Sequence, residues 1–373
     1  MPRAPAVQDV EQLPEADRLE GFPHPRETRI LYGHENVEQQ LAHAFAGQRM
    51  HHGLLLTGPK GIGKATLAYR LARYVLAQPQ ERESPEGSLS VAPGSPATRH
   101  VTALSHPGLL VVRRPYDPKS KRFAATIPVD EVRRLRSFLG HTAGENAWRV
   151  VIVDSADELN LVAANALLKS LEEPPQRALF ILVCAEPSRL LATIRSRCLR
   201  VMLEPLGGES LRKAAGQALA AAEIASPDET AWARLAPLSQ GSVRRALQLI
   251  GAGGLEVWEK TEAIFAGLPG VDWQAAHMLT DSLASTAQDQ RFETFYGLFL
   301  DRLAHLIRVR ASGQGDRSDL LLARRLIAEG GQPAWAAAWQ AMVEERADAY
   351  ELNLDRKALI LRALARLEAL ARA

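Results

Sequence analysis

The chain is poor in cysteine, and its two thiols form no recognisable framework. Cys184 and Cys198 are the only cysteines among 373 residues. One such pair makes neither a disulfide scaffold nor a zinc ribbon, and low thiol content suits a reducing compartment. We therefore predict a cytoplasmic protein without zinc, in which both cysteines are small core residues.

The sequence also lacks long apolar runs and a net charge. No stretch of about twenty apolar residues is long enough to span a bilayer, and the N-terminus has no apolar core of a secretion signal. Lys and Arg number 45 against 43 Asp and Glu, a formal charge of +2. This balance excludes a global field that would drive nonspecific nucleic-acid binding. The sequence predicts no membrane partner, and contact with DNA only locally or through other proteins.

Composition divides the chain into four predicted regions. Residues 1–26 are proline-rich and acidic, which predicts a flexible arm. Strands alternate with helices over 27–205, which predicts an α/β domain with a parallel sheet and helices on both faces. Within it, 79–104 is rich in Pro, Ser and Gly and predicts an inserted surface loop. Residues 206–254 predict a small helical lid domain, and 255–373 an all-α C-terminal domain.

A strand, a glycine-rich turn and a helix follow one another from Leu54 onward. In the stretch GPKGIGKAT, Gly58, Gly61 and Gly63 expose backbone N–H groups at a helix N-terminus. Such a loop surrounds phosphate oxygens, while the lysine at its end, here Lys64, neutralises the outer phosphates. The order of elements and the spacing of the glycines predict a P-loop nucleotide site.

The residue after the P-loop lysine is unusual for an ATPase. Ala65 stands where a serine or threonine hydroxyl holds magnesium in P-loop proteins. Thr66 is no simple replacement, because one helical position rotates a side chain by roughly 100°. The sequence therefore predicts a loop in which binding survives and hydrolysis is impaired.

The acidic position after the apolar run Val150–Val153 also indicates impaired hydrolysis. Asp154 follows the apolar run Val150–Val153, where P-loop ATPases place an acid that holds magnesium. Its neighbour is Ser155, not the glutamate that activates water in many of them. Asp157 and Glu158 come next, and we assign them to a loop or a helix start, where acids favour the helix dipole. Both losses together predict a motor that no longer hydrolyses ATP.

Four segments together carry a family resemblance: GPKGIGKAT, VVIVDSADELN, NALLKSLEEPP and EPSRLLATIRSRC. They resemble the AAA+ subunits of the bacterial sliding-clamp loader, over roughly residues 27–250 and most strongly over 145–200. Within this family the chain is most similar to the delta prime type. The gamma/tau type keeps the hydroxyl and the Asp-Glu pair that this chain lacks. The C-terminal domain matches only in length and helical character.

The resemblance assigns roles to two arginines. It implies that Arg197, in Ser196-Arg197-Cys198, is an arginine finger acting in trans in a neighbouring subunit's ATP site. Such a finger is worth a rate factor of about 10³ to 10⁵. A structural ion pair is the alternative role. Arg244 occupies the place of a second nucleotide-sensing arginine, which leaves passive binding of ATP or ADP open; the alternative is a helix-surface charge.

Two features common to related proteins are missing. Members of the family often carry a four-cysteine zinc module, whereas residues 65–153 contain no cysteine, so zinc is not expected there. The basic residues between Arg113 and Arg122 lack the interleaved aromatics of a single-strand binding surface. They predict a solvated loop.

The resemblance implies a function. The chain would be a delta prime-type accessory subunit of the DNA polymerase III holoenzyme, which is a nucleotidyltransferase, without hydrolysing ATP itself. It would join gamma/tau and delta in a hetero-pentamer, held by a C-terminal collar, that loads the sliding clamp on primer-template DNA. Three alternatives remain open at this point. They are an active gamma/tau-like ATPase motor, a P-loop kinase or transferase, and a scaffold without a nucleotide role.

Overall fold

The computed structural model describes residues 14–83, 87–120, 122–140, 147–251, 253–283, 289–352 and 355–373. The chain divides into two compact units, Met1–Ala246 and Leu247–Ala373. The division falls inside a helix, Val243–Gly251. The helices assigned to a lid belong largely to the first unit together with the sheet. The boundaries at 205 and 254 stay predictions.

The first unit is built on a five-stranded parallel sheet, with a short antiparallel pair of strands outside it. The strands are β1 (Gly53–Thr57), β2 (Leu109–Val112), β3 (Tyr116–Asp117), β4 (Arg122–Phe123), β5 (Arg149–Val153), β6 (Ala178–Cys184) and β7 (Leu199–Met202). The parallel sheet has the order β2-β5-β6-β1-β7, and β3 and β4 form the antiparallel pair.

Burial explains which strands could be predicted. All residues of β1 and β6 are buried, as expected for parallel strands covered on both faces. The edge strand β7 exposes Leu199 and Met202 and has only four residues. It lacks the continuous apolar run of a buried strand, so the sequence does not predict it.

Helices lie around this sheet and complete the predicted α/β architecture. The helices are α1 (Glu35–Ala46), α2 (Lys64–Leu76), α3 (Pro96–Thr102), α4 (Val129–Gly140), α5 (Leu161–Glu172), α6 (Ala192–Arg195), α7 (Gly208–Ala221), α8 (Glu229–Ser239) and α9 (Val243–Gly251). One apolar cluster joins α4 and α5 to the sheet through Leu135, Leu167, Val151 and Phe180, and α2 packs on β1, β5 and β6.

Two segments differ from the sequence-based expectation. Residues 14–26, assigned to a flexible arm, pack on the first unit: Phe22, His24 and Arg26 are buried. Residues 79–104, assigned to a surface loop, contain α3, which buries Val101 and packs on α2. Composition suggested loops in both places because the segments are polar. The residues that pack against them and bond to them lie far away in the sequence.

The second unit is all-helical among its described residues, as predicted. Its core is aromatic: Phe265, Phe292, Phe295 and Phe299 are fully buried, and the Phe265 and Phe299 rings lie 5.2 Å apart. The helices are α10 (Gly254–Gly267), α11 (Trp273–Leu283), α12 (Asp289–Ser312), α13 (Arg317–Leu326), α14 (Gln332–Leu352) and α15 (Arg356–Arg372). The long α12 contacts α10, α13 and α14. Of the helices described, none has both the length and the apolar character needed to cross a bilayer.

Candidate functional site

The glycine-rich loop connects β1 to α2, as the sequence predicts. Gly58, Gly61 and Gly63 all have positive φ angles, of 141°, 79° and 108°, which glycine adopts without strain. A Cβ atom at Gly58 would lie 2.3 Å from the Leu203 carbonyl oxygen, and one at Gly61 would lie 2.4 Å from Ser242 Oγ. These glycines therefore allow close packing around the loop as well as a turn.

Lys64 opens α2 and is buried, with its ammonium group directed at its own loop. Nζ donates to the carbonyl oxygen of Gly58 at 2.6 Å and to that of Pro59. Burial lowers the pKa of Lys64 to about 8, and the nearby Asp157 and Asp154 offset only part of this effect. The lysine is thus placed where a phosphate-binding lysine belongs, with backbone carbonyls as its partners.

Other elements hold the loop from outside. The N-terminal end of α9 reaches it, because Val243 N–H donates to the Gly61 carbonyl at 2.9 Å. Ser242 Oγ donates to the Lys60 carbonyl at 2.9 Å. On the other side, the His34 ring lies 2.8 Å from the Ile62 carbonyl. Three consecutive carbonyls of the loop are therefore bonded by one backbone N–H group and two side chains.

The position after Lys64 lacks a magnesium ligand in the fold as well. Ala65 and Thr66 are consecutive positions in the first turn of α2. A step of one residue turns the Thr66 hydroxyl by roughly 100° about the helix axis. The hydroxyl therefore does not take the direction of the missing one.

Asp154 follows β5 as predicted, but its partner is unexpected. The carboxyl group of Asp17 lies next to it and affects its ionisation. Burial, and then the adjacent Asp17, raise the pKa of Asp154 well above its usual range. This shift favours the neutral form of Asp154, which binds a cation less well than a carboxylate does.

Asp17 belongs to residues 14–26, which we call the N-terminal segment. Its side chain is 7% exposed, and its Oδ atoms lie 2.8 Å from His24 Nε2 and 2.9 Å from Arg113 NH1. Burial opposes ionisation of Asp17, but the hydrogen bond with His24 and the charge of Arg113 lower its pKa overall. The segment thus brings a carboxylate to the strand end where a P-loop ATPase holds magnesium.

The two acids after Asp154 have structural partners. Ser155 adopts a left-handed conformation, and Ala156–Glu158 form one 3₁₀ turn. The Asp157 carboxylate accepts from the backbone N–H groups of Ala185 and Glu186, at 3.2 and 3.1 Å. Glu158 pairs with Arg114 Nε at 2.7 Å. Neither acid replaces the missing catalytic glutamate.

Arg244, in the first turn of α9, is half-buried and does not lie on an open helix surface. Its NH1 donates to the Asp17 carbonyl at 3.3 Å. Burial lowers the pKa of Arg244, while Asp154 and Asp17 act in the opposite direction. The arginine, Asp154 and the N-terminal segment therefore meet in one place.

Arg197 lies elsewhere, between α6 and β7. Its NH2 pairs with Glu172 Oε1 at 2.8 Å, and its NH1 donates to the Thr193 carbonyl at 3.0 Å. The side chain is 37% exposed. Because Leu199 pairs with Leu54 in register, Arg197 is level with the start of β1, whereas the P-loop begins at its end. At about 3.3 Å per residue the two are separated by roughly 15 Å along the strand.

Both cysteines are free thiols, and neither belongs to a metal site among the described residues. Cys184 is fully buried at the end of β6, and burial, with Asp157 next, raises its pKa to about 12. Burial raises the pKa of Cys198 to about 11. These protonated thiols are unreactive and act as packing groups.

Comparison with known proteins agrees with this arrangement. A family model described as "DNA polymerase III, delta subunit" matches residues 33–207. DNA polymerase III subunit delta prime of Pseudomonas aeruginosa is 33% identical over 333 residues, which cover 88% of this chain and 94% of that protein. The chain belongs to the DNA polymerase III delta prime family.

Two further relatives help to place this delta prime family member. DNA polymerase III subunit delta prime of Escherichia coli is 32% identical over 250 residues, or 66% of this chain and 63% of that protein. Subunit tau of the same organism is 28% identical over 263 residues, or 69% of this chain and 38% of that protein. The chain is more similar to the delta prime sequences than to tau. This agrees with the missing hydroxyl at Ala65 and the missing acid at Ser155.

Sequence reasoning missed the groups that the N-terminal segment adds to this delta prime-family site. Asp17 and Arg113 are 96 positions apart, and Ser242 and Lys60 are 182 positions apart. No spacing rule connects such residues. The only signal was a pair of acids, Glu15 and Asp17, in a segment whose composition pointed to disorder.

Proposed function

We propose that the chain is a delta prime-type subunit of a cytoplasmic bacterial clamp loader. In this role it supports ATP-dependent loading of the sliding clamp on primed DNA, in a hetero-pentamer with gamma/tau and delta subunits. It does not hydrolyse ATP itself. Arg197 acts in trans on the ATP held by a neighbouring motor subunit.

The position of Arg197 is the observation that carries this proposal. The arginine is half-exposed at the sheet edge opposite its own P-loop, too far away to reach a nucleotide bound there. A guanidinium held by Glu172 and the Thr193 carbonyl has a defined direction and still faces solvent. An arginine finger needs this combination, because it stabilises charge on a phosphoryl group that another subunit binds.

The absence of hydrolysis rests on the P-loop side. Ala65 offers no hydroxyl for magnesium and Ser155 offers no general base, while burial and the adjacent Asp17 raise the pKa of Asp154. A cation site built from these groups would lack its hydroxyl ligand and would hold a less readily ionised acid. Phosphoryl transfer depends on the metal and on the positioned water, so the loss affects the chemical step first.

Passive binding of ATP or ADP is part of the proposal. The glycines and Lys64 keep the form of a phosphate cradle. Binding there requires Lys64 to exchange the Gly58 and Pro59 carbonyls for phosphate oxygens. Any nucleotide would then be held without turnover.

The test is ATP turnover in a reconstituted assembly with the variant Arg197→Ala. We expect the hydrolysis rate at one ATP site of the assembly to fall by about 10³-fold or more. The burst of ATP hydrolysed when the assembly binds primed DNA should therefore become smaller by the contribution of that site. Arg195→Ala removes an exposed arginine two positions away and is the matched control. An unchanged burst with Arg197→Ala would refute the finger assignment and favour a structural ion pair with Glu172.

The purified chain alone tests the other half of the proposal. With magnesium and primed DNA present, we expect no ATP turnover. Turnover that is abolished by Lys64→Ala would instead support the alternative of an active gamma/tau-like motor. If the assembly keeps its full ATP turnover with either folded variant, Lys64→Ala or Arg197→Ala, the alternative of a scaffold without a nucleotide role would be supported.

A further inference from the structure

A cavity of about 1000 Å³ lies beside the N-terminal segment, between α3 and the loop after β2. Its wall is strongly basic. Two carboxylates, Glu15 and Glu27, face six arginines: Arg26, Arg29, Arg73, Arg99, Arg113 and Arg114. Such an excess of one charge in a concave site concentrates the field and attracts anions.

Both carboxylates in the wall already form ion pairs with arginines. Glu15 bonds to Arg26 at 2.7 Å and to Arg113 at 2.6 Å. Glu27 pairs with Arg18, outside the cavity lining. Arg114 has its own partner in Glu158. This leaves three lining arginines, Arg29, Arg73 and Arg99, that form no ion pair with any described residue.

Arg73 is the least satisfied of the three. It is only 5% exposed, and its NH2 donates to the Arg26 carbonyl at 2.6 Å. Its Nε has no hydrogen-bond partner within the described part of the chain. Burial, and then the neighbouring Arg70 and Arg29, lower its pKa to about 10. A buried cation without a counter-ion is unfavourable, and an anion in the cavity would relieve it.

We propose that this cavity binds an anion with two linked phosphate groups, held by Arg29, Arg73 and Arg99. Three guanidinium groups without carboxylate partners match the two to three negative charges of a diphosphate. Their planar forks also suit paired phosphate oxygens. The cavity is far larger than one phosphate needs. The ligand is either free pyrophosphate or the diphosphate of a nucleotide.

This site is separate from the P-loop and goes beyond the proposed function. Arg73 lies nine positions after Lys64 on the same helix, which is roughly 14 Å along its axis at 1.5 Å per residue. The two sites share α2 but no lining arginine. Substitutions can therefore remove binding at one site without removing it at the other.

The test is calorimetric titration of the full-length chain with pyrophosphate at constant ionic strength. Lys64→Ala provides the background in which the P-loop contributes least, and we expect pyrophosphate binding to persist there. In that background, Arg29→Ala/Arg99→Ala should weaken it by about tenfold or more, because both side chains are exposed and their loss leaves the fold intact. Arg73→Gln should do the same, provided that its circular dichroism is unchanged.

A matched control removes the same charge elsewhere. Arg133 and Arg134 are exposed on α4, and Arg133→Ala/Arg134→Ala should leave the affinity unchanged. Equal weakening by this control would mean a general charge effect and would overturn the proposal. Binding that disappears with Lys64→Ala, or no binding of pyrophosphate at all, would overturn it as well.

A second arm of the titration identifies the source of the diphosphate. ADP that binds the Lys64→Ala chain more tightly than pyrophosphate, and loses that affinity with Arg29→Ala/Arg99→Ala, identifies a nucleotide. Equal or weaker binding of ADP identifies the free diphosphate. Failure here leaves the role of Arg197 untouched, because no experiment on this cavity measures ATP turnover in a neighbour.

Discussion

Lys64 and Asp154 show how single buried charges respond to the fold around them. Each lies at a position that binds nucleotide or metal in an ATPase, and each has a pKa shifted toward its neutral form. For both groups burial is the leading cause. In Asp154 the adjacent Asp17 adds to the shift, whereas the acids near Lys64 oppose it.

The pKa of Lys64 leads to a prediction about stability and pH. Between about pH 8 and the ordinary lysine value of 10.5, the unfolded state binds more protons than the folded state. Stability therefore rises with pH through this window. Lys64→Met removes the buried charge, so the variant should be more stable than the parent at neutral pH. This advantage should shrink by on the order of 2 kcal/mol between about pH 7 and pH 10.

Urea unfolding of both chains at the two pH values measures this difference directly. Other titrating groups cancel when the variant is compared with the parent at each pH. A constant difference for Lys64→Met would show that Lys64 titrates normally in the folded chain.

At the scale of elements, the N-terminal segment behaves as part of the domain. It supplies Asp17 to His24, Arg113 and Asp154, and Glu15 to Arg26 and Arg113. It also adds a backbone carbonyl to Arg244. A charged segment of this kind is held by its partners, because its own apolar content is too small to fix it.

Asp17→Ala tests how tightly this segment is held. The substitution leaves Arg113 and the buried His24 without one carboxylate, and removing one partner of a buried ion pair typically costs about 3 kcal/mol. We expect a loss of that size in the free energy of unfolding, measured with urea. Arg18→Ala removes a half-exposed ion pair with Glu27 and should cost less than about 1 kcal/mol. Similar small effects for both would mean that the segment contributes little to the folded state.

At the scale of the whole molecule, the second unit has the features of an autonomous domain. Its six helices among the described residues enclose a separate aromatic core. A domain of more than a hundred residues can bury enough apolar surface to fold alone.

We therefore predict that the fragment Gly253–Ala373 folds by itself. It should unfold cooperatively and show near-ultraviolet circular dichroism from its packed aromatic rings. A shorter fragment that begins at Asp289 lacks α10 and α11, and with them the buried Phe265 and Leu279. This fragment should lose both signals. A helical but non-cooperative Gly253–Ala373 would show that its core needs the rest of the chain.

Local patterns predicted much of the fold. The runs Leu54–Leu56 and Val150–Val153 lie in strands β1 and β5, because uninterrupted apolar residues suit a buried parallel strand. The glycines and Lys64 predicted the loop for an equally local reason. The strand β7 and the helix α3 escaped prediction, since short or polar elements are stabilised by what they pack against and not by their own composition.

The sequence alone determined the chemistry that is missing, because Ala65 and Ser155 lack the necessary groups in any fold. It also indicated the family, through motifs whose residues are close together in the chain. Only the tertiary structure decided which distant charges meet. It placed Asp17 on Asp154 and Arg197 at the sheet edge opposite Lys64. Such pairings depend on chain topology, and a buried charge acquires its pKa and its partner only when the chain has folded around it.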